Sequence, residues 1–535
     1  MPPPHAPPLT RSLYDLGPPE PCPAPFNMAD YVMRKSRETP EKTALIVIEG
    51  EAGDIAEIWN FAALDHAIRA TAAGLVARGL EPGDRVALRM GNISDFPILF
   101  FGTIAAGGIA VPTSAQLTEP EFTALLADMT PRFVAMSEDL SVTQLPAGAS
   151  PLHPAEWRGL RDTPPMDPVE SAPDDPAFLI YTSGTSGGAK GVLHAQRSAW
   201  ARRMMWADWY GLGPDDVMLH AGAFNWTYTL GTGLTDPWAA GATAVIHTGP
   251  ASAEALPRIA ERHDATILAA VPGIYRRILR TEHPLARSFS ALRHALVSGE
   301  RMPETLAEAW RARTQKPIYE ALGMSEVSTY LSSGPNCTPR PGAIGRPQTG
   351  RRVAILDGAE PAPVDAEGAL AVSTRDPGLM LRYWNRPDET AAARRGEWFL
   401  TGDRAAMDAD GYVTFLGRSD DVMTAQGYRV SAQEVEDVLL THPGIAEAGV
   451  TEVRLRDDLT LIAAFVVPDG PWPGEEALRA FSATRLAAYK CPRLWQECDA
   501  LPRTANGKLL RRKLAQDFDP SGVAGPRQQP RQGPA

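Results

Sequence analysis

The chain has few cysteines and no long apolar runs, and each scarcity argues against a class of protein. Its 535 residues contain four cysteines, Cys22, Cys337, Cys491 and Cys498, which form no CxxC pair. Such scattered cysteines argue against a disulfide framework and fit a reducing compartment. No stretch reaches the ~18 uninterrupted apolar residues of a membrane span, and the N-terminus lacks the basic and apolar regions of a signal peptide. We therefore expect a cytoplasmic protein without membrane insertion.

Positive charge is also scarce. The chain has 52 Lys and Arg against 64 Asp and Glu, which gives a formal net charge of −12. Nonspecific attraction to nucleic acid or to anionic lipid is therefore not expected, and any anionic ligand must be held by local positive charge. The hydrophobic content of 44% is enough to fill more than one core in a chain of this length. This composition favours a soluble enzyme of several domains.

A segment rich in glycine and hydroxyl side chains follows the apolar run Phe178–Ile180. It reads Tyr181-Thr182-Ser183-Gly184-Thr185-Ser186-Gly187-Gly188-Ala189-Lys190-Gly191. Glycines let the backbone approach a polyanion, hydroxyls donate hydrogen bonds, and Lys190 supplies charge, so the segment is predicted to bind phosphate. It is not the GxxxxGK[ST] loop, because glycine follows Lys190. The alternative is a surface loop without a ligand.

Short β-rich runs alternate with helical patterns along much of the chain. The predicted strands include Arg85–Met90, Arg132–Met136, Val217–His220, Thr243–His247 and Thr266–Ala270, and the predicted helices include Glu119–Met129 and Ser252–His263. This alternation predicts an α/β fold in which parallel-rich sheets are layered with helices.

Composition divides the chain into four predicted segments. Residues 1–27 are a Pro-rich arm and residues 518–535 a polar tail, both predicted to be disordered because they cannot bury apolar surface. The boundary between a large N-terminal domain, 28–417, and a small C-terminal domain, 418–517, lies in the polar turn region Gly411–Asp421. Beyond it, a helix over Ala432–Thr441 and strands over Ala446–Val453 and Leu459–Val467 predict an α+β unit.

Five motifs occur in an order that is typical of one enzyme family. They are Thr182–Gly191, the run Tyr319–Glu326, the triplet Thr401–Asp403, the joint Gly417–Asp421, and Pro502–Lys508. With them the chain resembles the adenylate-forming superfamily, which includes acyl-CoA synthetases, luciferases and the adenylation domains of peptide synthetases. The resemblance covers about residues 28–515. It implies ATP, Mg²⁺ and CoA as ligands, and a mobile C-terminal domain.

The resemblance assigns many of these residues to the nucleotide. Those implied to contact ATP or AMP are Thr182, Ser183, Gly184, Thr185, Ser186, Gly187, Lys190, Gly299, Glu300, Glu320, Ala321, Leu322, Gly323, Met324, Asp403, Phe415, Arg418 and Arg429. Among them, Asp403 and Arg418 are implied to reach the ribose, Phe415 to lie beside adenine, and Arg429 to meet phosphate. The alternatives are a turn aspartate at Asp403, core packing of Phe415 and a solvated arginine at Arg429.

Three residues are predicted to act in catalysis. The Ser325 hydroxyl suits a phosphate, and the Glu326 carboxylate suits Mg²⁺, a hard cation that prefers oxygen ligands. Lys508, in a tight Asn-Gly-Lys turn, is predicted to bridge carboxylate and phosphate oxygens as a movable point charge. The alternatives are a helix cap at Ser325 and an ordinary turn lysine beside the basic run Arg511–Lys513.

The resemblance also implies a reaction in two halves. A substrate carboxylate attacks the α-phosphate of ATP and pyrophosphate departs; a thiol then attacks the acyl-adenylate and AMP departs. Asp420 matches the hinge about which the small domain rotates between the halves, and Gly427 with Tyr428 matches the channel for CoA. Thr424 stands where some relatives carry a second lysine, so the second half is expected to depend on positioning.

One wall of the acid pocket is implied to lie in the segment Ala223–Gly231. The predicted wall residues are Phe224, Asn225, Trp226, Tyr228 and Gly231. The segment offers aromatic bulk and no Lys or Arg for a second carboxylate, and Asn225 replaces the aspartate of amino-acid-activating relatives. An unsubstituted aromatic or short- to medium-chain apolar acid is favoured. Core packing is the alternative for Trp226 and Tyr228.

Two other functions stay open at this point. A stand-alone adenylation enzyme would load a carrier protein, whose pantetheine thiol would replace CoA. A non-catalytic nucleotide-binding protein would have kept the fold without the chemistry, although the joint presence of Lys190, Glu326, Asp403, Arg418 and Lys508 argues against it. The expected partners are a small-molecule acid, ATP and CoA, with no nucleic acid. The sequence leaves monomer and homodimer equally open.

Overall fold

The computed structural model describes residues 8–140, 142, 144–183, 189–249, 252–418, 422–425, 428–456, 459–486, 490–503 and 509–518. The chain forms two compact units. The first comprises Met1–Thr401 and Ala405–Phe415, and the second comprises Gly402–Arg404 and Leu416–Ala535.

The largest sheet of the first unit is mainly parallel. Within the described residues its nine strands, in spatial order, are Arg346–Pro347, Ser328–Ser332, Ile318–Met324, His294–Ser298, Ile267–Ala270, Val217–His220, Thr243–His247, Thr43–Glu49 and Asp54–Asn60. The strands from Ile318–Met324 to Thr43–Glu49 run parallel, and the pairs at both edges run antiparallel. The parallel strands consist largely of buried aliphatic residues, as a sheet covered on both faces requires.

A second sheet of the first unit carries the predicted phosphate loop. In the part of the chain that the structure describes, its seven strands are Arg382–Tyr383, Ala189–Ala195, Pro176–Ser183, Ile109–Thr113, Arg85–Arg89, Phe133–Met136 and Ser150–Leu152. Pro176–Ser183 and Ala189–Ala195 form an antiparallel hairpin, and Arg382–Tyr383 adds to its outer edge. The other strands are parallel.

The third sheet contains several antiparallel pairs, and it shows that one prediction from the sequence is wrong. Its strands are Leu13–Asp15, Arg352–Asp357, Glu360–Pro361, Gly368–Ser373, Arg394–Arg395, Trp398–Met407 and Val413–Arg418. The sequence predicts disorder over residues 1–27, but Leu13–Asp15 pairs with Arg352–Asp357 and Ser12 is fully buried. The prolines lie outside these three residues, so they leave a short edge strand free to form. Residues 1–7 and the tail from 519 onward lie outside the described residues.

Helices pack on these sheets. Those of the first unit are Met28–Val32, Phe61–Ala77, Asp95–Ala105, Glu119–Met129, Pro154–Gly159, Ser198–Ala201, Arg203–Met205, Thr227–Leu230, Asp236–Ala240, Ala255–Arg262, Pro272–Arg280, Leu285–Ser288, Glu304–Thr314 and Pro387–Ala392, with 3₁₀ turns at Arg34–Arg37 and Leu160–Asp162 and π-helical segments at Trp206–Tyr210 and Gly231–Thr235. A capping box at Thr118 and Glu121 starts Glu119–Met129. None of the helices in the described ranges has the length and apolar character needed to cross a membrane.

The second unit has the predicted α+β composition. Its strands are Val422–Ala425, Tyr428–Ser431, Ile445–Arg456, Leu459–Pro468 and Leu494–Glu497, and its helices are Ala432–Leu439, Glu475–Ala483 and Arg511–Gln516. Buried residues of its first helix and central strands, among them Val435, Val450 and Ile462, form its core. Arg511 Nη2 donates to the buried Glu436 carboxylate at 2.6 Å and so attaches the last helix to the first.

A buried ion pair joins Arg202 to Asp236, the first residue of the helix Asp236–Ala240. Arg202 Nε lies 3.0 Å from both carboxylate oxygens of Asp236, and the Tyr210 hydroxyl donates to the same carboxylate at 2.9 Å. Gly231 makes room for the pair, because a Cβ there would lie 2.1 Å from the guanidinium carbon. Burial by itself lowers the pKa of Arg202, but the neighbouring Asp236 raises it above its ordinary value, so the arginine stays charged.

We predict that Asp236→Asn lowers the free energy of unfolding by about 3–5 kcal/mol, because it leaves the Arg202 guanidinium buried without its counter-charge. Urea unfolding followed by circular dichroism measures the change. The matched control is Asp174→Asn, since Asp174 pairs with Arg197 but its side chain is 75% exposed. An exposed pair is worth less than about 1 kcal/mol. Equal losses for the two variants would contradict the role given to the buried pair.

Candidate active site

The predicted phosphate loop connects the two strands of a hairpin. Thr182 lies opposite Lys190 in the register, and its hydroxyl makes a long hydrogen bond of 3.5 Å to the Lys190 carbonyl. Another strand follows the loop here, whereas a helix follows the GxxxxGK[ST] loop. Lys190 therefore projects from the start of a strand. The loop residues Gly184, Thr185, Ser186 and Gly187 and the side chain of Ser183 lie outside the described residues.

Lys190 is already paired with a carboxylate. Its ammonium contacts Glu389, on the helix Pro387–Ala392, and lies 5.4 Å from the centre of the Tyr383 ring. Arg386 Nε approaches the same glutamate at 3.5 Å. Both partners of the Lys190–Glu389 pair are partly exposed, so the pair is open to exchange. A phosphate that binds Lys190 must therefore compete with Glu389.

Tyr383 connects Lys190 to the second predicted motif. Its hydroxyl donates to Glu326 Oε1 at 2.7 Å. The backbone N–H of Met380 donates to the Glu326 carbonyl at 2.7 Å, which holds the segment just before Tyr383 against Glu326. The backbone of Tyr383 also pairs with Val192, two residues after Lys190, and this pairing fixes the position of the tyrosine relative to the lysine. Lys190, Tyr383 and Glu326 thus form one cluster from three separate parts of the chain.

The Glu326 carboxylate fits a magnesium ion that arrives with ATP, while the neighbouring Ser325 hydroxyl is predicted to hold phosphate. Mg²⁺ is commonly bound by one or two carboxylates together with phosphates rather than by a protein cage. In the described part of the chain, no group of three or more His, Cys, Asp or Glu side chains is placed to hold a metal. The Glu326 carboxylate is therefore the kind of partial ligand set that phosphates complete.

The segments expected to frame adenine lie on neighbouring parallel strands. Ala321 pairs with Ser298, which directly precedes Gly299 and Glu300. Gly299 has a φ of +93°, a value that favours glycine. The Glu320 carboxylate accepts the Met302 backbone N–H at 3.0 Å and so holds the two segments together.

The end of the same strand turns closely back on itself. Leu322 and Met324 are partly buried against the core, and a Cβ on Gly323 would lie 2.6 Å from the Ser328 carbonyl. A larger residue at 323 would therefore push Ser328 and the nearby Ser325–Glu326 pair out of place.

Asp403 and Arg418, both predicted to reach ribose, pair within the second unit. Arg418 Nη1 lies 3.3 Å from Asp403 Oδ1. Asp403 lies inside the strand Trp398–Met407, so the alternative of a turn aspartate is wrong. Gly402, with a φ of +79°, allows Arg418 to pack directly on the backbone. Glycine is common in turns, so Gly402 in the sequence suggested a turn next to Asp403 where the strand in fact continues.

The remaining predicted residues are placed only in part. Phe415 packs, partly buried, against the core of the first unit. The side chains of Tyr428 and Arg429 lie outside the described residues, as do Asp420, Gly427 and Lys508 entirely. Their assignments stay predictions from the sequence.

The predicted acid wall divides into core and cavity residues. Phe224 is only 2% exposed and its ring lies 5.2 Å from that of Phe96. The Tyr228 hydroxyl donates to the Leu296 carbonyl at 3.2 Å, and its ring meets His220 edge-on. Phe224 therefore packs in the interior, and Tyr228 is partly buried. Asn225 and Trp226 remain partly exposed, and Gly231 lines a cavity.

This cavity contains residues that the sequence did not single out. Its lining includes His194, Ser198, Arg202, Gly231, Ser325 and Ser328. About 30 Å³ of it is open to the centres of water molecules, which is room for about two waters. Tyr383, Glu389, His194 and Ser198 belong to none of the five motifs. The weak signals available were the histidine three residues after Gly191, which ends the loop, and the acidic helix start after Pro387.

Comparisons with known proteins agree with this arrangement. The family model described as AMP-binding enzyme matches residues 32–384, and that of the AMP-binding enzyme C-terminal domain matches residues 434–508. The chain is similar to the 3-hydroxybenzoate–CoA ligase of Aromatoleum sp. (strain CIB), with 30% identity over 85% of this chain and 91% of that protein.

Two solved structures have the same overall fold. The benzoate CoA ligase from Burkholderia xenovorans LB400 matches with a TM-score of 0.83 and 30% identity, over 92% of this chain and 100% of that chain. The anthranilate CoA ligase AuaEII in complex with anthranoyl-AMP matches with a TM-score of 0.84 and 26% identity, over 92% of this chain and 98% of that chain. These matches confirm the predicted fold class and family resemblance.

We predict that Glu389→Gln lowers the Kd for MgATP by about two- to fivefold, because a partly exposed ion pair with Lys190 no longer competes with phosphate. Isothermal titration calorimetry measures this without any acid. The matched control is Asp388→Asn, which removes one charge from an exposed neighbouring position of the same helix. An equal change in both variants would mean that net charge, not the Lys190 contact, sets the affinity.

We also predict that Tyr383→Phe slows acid-dependent release of pyrophosphate by about tenfold, because the Glu326 carboxylate loses a hydrogen bond that orients it. The ring beside Lys190 is kept. Tyr412→Phe is the control, since its hydroxyl donates to the Thr338 carbonyl instead. If both variants retain full activity at matched thermal stability, the orienting role of Tyr383 is wrong.

Proposed function

The chain belongs to the family of AMP-binding enzymes and is an acid–CoA ligase that works through an acyl-adenylate, and from this premise we propose that its acid is a compact aromatic carboxylate. One observation carries the proposal. Ser325 is one of the residues that line the cavity, while the next residue, Glu326, belongs to the cluster with Tyr383 and Lys190. An acid in this region would have its carboxylate near the phosphate residues and its body toward the cavity.

The lining of the cavity is apolar, although its free space of about 30 Å³ holds about two waters and not a ring. Apolar side chains of Phe178, Met205, Leu230 and Val327 surround it, so it favours burial of a hydrocarbon surface. The relatives named for benzoate, 3-hydroxybenzoate and anthranilate act on compact ring acids, and the same class suits this chain. Short- and medium-chain aliphatic acids are the competing class that an assay must separate.

The first half-reaction needs alignment and charge more than a protein nucleophile. An oxygen of the acid carboxylate attacks the α-phosphorus of ATP, the bond to the β-phosphate oxygen breaks, and pyrophosphate leaves with that electron pair. Lys190, Thr182 and Ser325 are proposed to hold phosphate oxygens. Glu326 would hold Mg²⁺ together with the phosphates, and the ion supplies neutralising charge. Lys508 is proposed to bridge the attacking carboxylate and the α-phosphate.

In the second half-reaction the sulfur of CoA attacks the acyl carbon. The carbon–oxygen bond to AMP breaks, and AMP leaves as the phosphate anion while the thiol proton passes to solvent. A thiol with a pKa near ~8.5 is partly ionised at neutral pH, so no dedicated base is required. Asp420 is proposed as the hinge about which the small domain rotates between the two half-reactions. Gly427 and Tyr428 are proposed to lie along the channel for the CoA thiol.

A panel of carboxylic acids tests the proposed substrate. We expect ATP-dependent pyrophosphate release to be fastest with benzoate-type acids, and acyl-CoA to form with free CoA and no carrier protein. The aliphatic arm consists of butyrate, hexanoate and octanoate. Faster release with any of these would overturn the aromatic assignment, and no release with any acid would overturn the ligase itself.

We predict that Lys508→Ala abolishes acyl-adenylate formation but largely spares thioester formation from supplied acyl-adenylate, because the lysine charge is needed only while phosphorus is attacked. Single-turnover assays of each half measure this. Lys513→Ala, in the exposed basic run of the last helix, is the control and should leave both halves intact. Equal loss of both halves in the Lys508 variant would refute its assignment to the first.

A further inference from the structure

The turn from Ser325 to Ser328 carries two of the predicted site residues and is strained at its end. It follows the strand Ile318–Met324. Ser328 has a φ of +72°, a left-handed value that is costly for a residue with a side chain and persists only where the surroundings hold it. The Met380 backbone N–H supports the turn by donating to the Glu326 carbonyl at 2.7 Å. The strain at Ser328 calls for further support.

The same turn forms part of the wall of the small cavity. Ser325, Val327 and Ser328 all line this cavity. Arg202 lines it too, and its Nη1 donates to the Ser328 hydroxyl at 2.5 Å. Whatever fills the cavity therefore packs against the turn and helps to decide where Ser325 and Glu326 lie.

Two buried polar side chains of the lining make no hydrogen bond to the protein. His194 is 3% exposed and Ser198 is 8% exposed. Among the described residues, neither ring nitrogen of His194 nor the Ser198 hydroxyl has a hydrogen-bond partner, although the Ser325 backbone lies close to the ring. The Nε of Arg351, which also lines the cavity, is unpaired within the same residues. Buried polar groups are costly when unpaired, and most are satisfied by protein, water or ligand.

The charges of the cavity lining are balanced. Arg202 Nη2 donates to the buried Asp236 carboxylate at 2.7 Å, and Arg351 pairs with the buried Asp376. Removal from water lowers the pKa of His194 to about 4, so its imidazole is neutral at physiological pH. An ion in the cavity would therefore be buried without a counter-charge, which is strongly unfavourable. The occupant that suits these groups is uncharged and both donates and accepts hydrogen bonds.

The free volume of the cavity matches water. About 30 Å³ is open to the centres of water molecules, which is room for about two waters. A buried water needs roughly two to four polar partners, and the nitrogens of His194, the Ser198 hydroxyl and the Arg351 Nε supply them. A ring does not fit, so the acid proposed above would pack beside this space and not inside it.

We propose that the cavity holds about two ordered waters that connect His194 and Ser198 to the turn from Ser325 to Ser328. His194 and Ser198 are then positioning residues. Through the waters they keep the Ser325 hydroxyl directed to phosphate and the Glu326 carboxylate directed to Mg²⁺ during the first half-reaction. The proposal rests on the roles given to Ser325 and Glu326 in the proposed function.

A high-resolution crystal structure of the full chain tests the waters directly. We expect ordered waters about 2.7–3.2 Å from the His194 ring nitrogens and the Ser198 hydroxyl, with at least one of them bonded to the turn. Ala201→Val enlarges a side chain of the lining and should displace at least one water. A dry cavity, or one filled by a protein side chain or an ion, would overturn the proposal.

The kinetic effect should be confined to the first half-reaction. We expect His194→Leu to slow acid-dependent pyrophosphate release about tenfold, mainly through kcat, because groups that orient a metal-binding carboxylate from behind typically contribute at least this much. The Mg²⁺ concentration needed for half-maximal rate should rise severalfold. Thioester formation from supplied acyl-adenylate should be largely spared. His194→Gln keeps a donor and an acceptor and should recover most of the lost rate.

Two further variants separate positioning from stability. Ala201→Val should slow the same half-reaction although His194 and Ser198 are intact, and with His194→Gln it carries the test if His194→Leu does not fold. The matched control is His294→Leu. His294 is also 3% exposed, and burial lowers its pKa to about 4, but it lies outside the cavity lining. Equal slowing of pyrophosphate release in the two leucine variants would assign His194 to support of the fold and refute its positioning role.

Ser325→Ala distinguishes failure of this inference from failure of the proposed function. If Ser325→Ala slows pyrophosphate release but His194→Leu and Ala201→Val do not, the waters do not position the turn and the inference is wrong. If Ser325→Ala leaves pyrophosphate release unchanged, the phosphate role proposed for Ser325 is wrong and the positioning role falls with it. The crystal structure decides on the waters in either case.

Discussion

The antiparallel pairing of Arg382–Tyr383 with the strand Ala189–Ala195 is the contact on which the candidate site depends. It adds a two-residue strand to the edge of one sheet and so places the Tyr383 ring beside Lys190. From there the hydroxyl reaches Glu326, which follows a strand of a different sheet. Backbone hydrogen bonds fix this register more firmly than side chains alone, so Tyr383 holds a defined position relative to both the Lys190 ammonium and the Glu326 carboxylate.

The ion pairs of the first unit differ in exposure, and exposure decides whether a charged residue can exchange its partner. Lys190 and Glu389 are both partly exposed, so water eases the exchange of one anion for another. The pair of Arg202 with Asp236 is buried, and removal of either partner leaves an uncompensated charge. Lys190 can therefore bind a polyanion even though the chain is acidic overall. The buried Arg202 and Arg351 keep their carboxylate partners and stabilise the lining of the cavity.

Elements with strong local patterns were predictable from the sequence. The bounds of Val217–His220, Thr243–His247 and Glu119–Met129 agree with the structure because turn residues or a capping box flank them. Weak local patterns failed for an equally physical reason. Leu13–Asp15 is a strand only because Arg352–Asp357 is there to pair with it. The assignment of Phe224 to the acid wall stays a prediction, and its ring lies 5.2 Å from that of Phe96.

The family, the order of the motifs and the residues within them could be read without the fold, because glycines, hydroxyls and charges that handle phosphate act at short range along the chain. The side chains that contact those residues in the folded protein could not be predicted from the sequence. Glu389 and Tyr383 lie almost two hundred positions from Lys190, and His194 and Ser198 line the same cavity as Ser325 although they are far from it in the sequence. Such neighbours depend on strand register and on how helices pack, and spacing along the sequence carries no information about either.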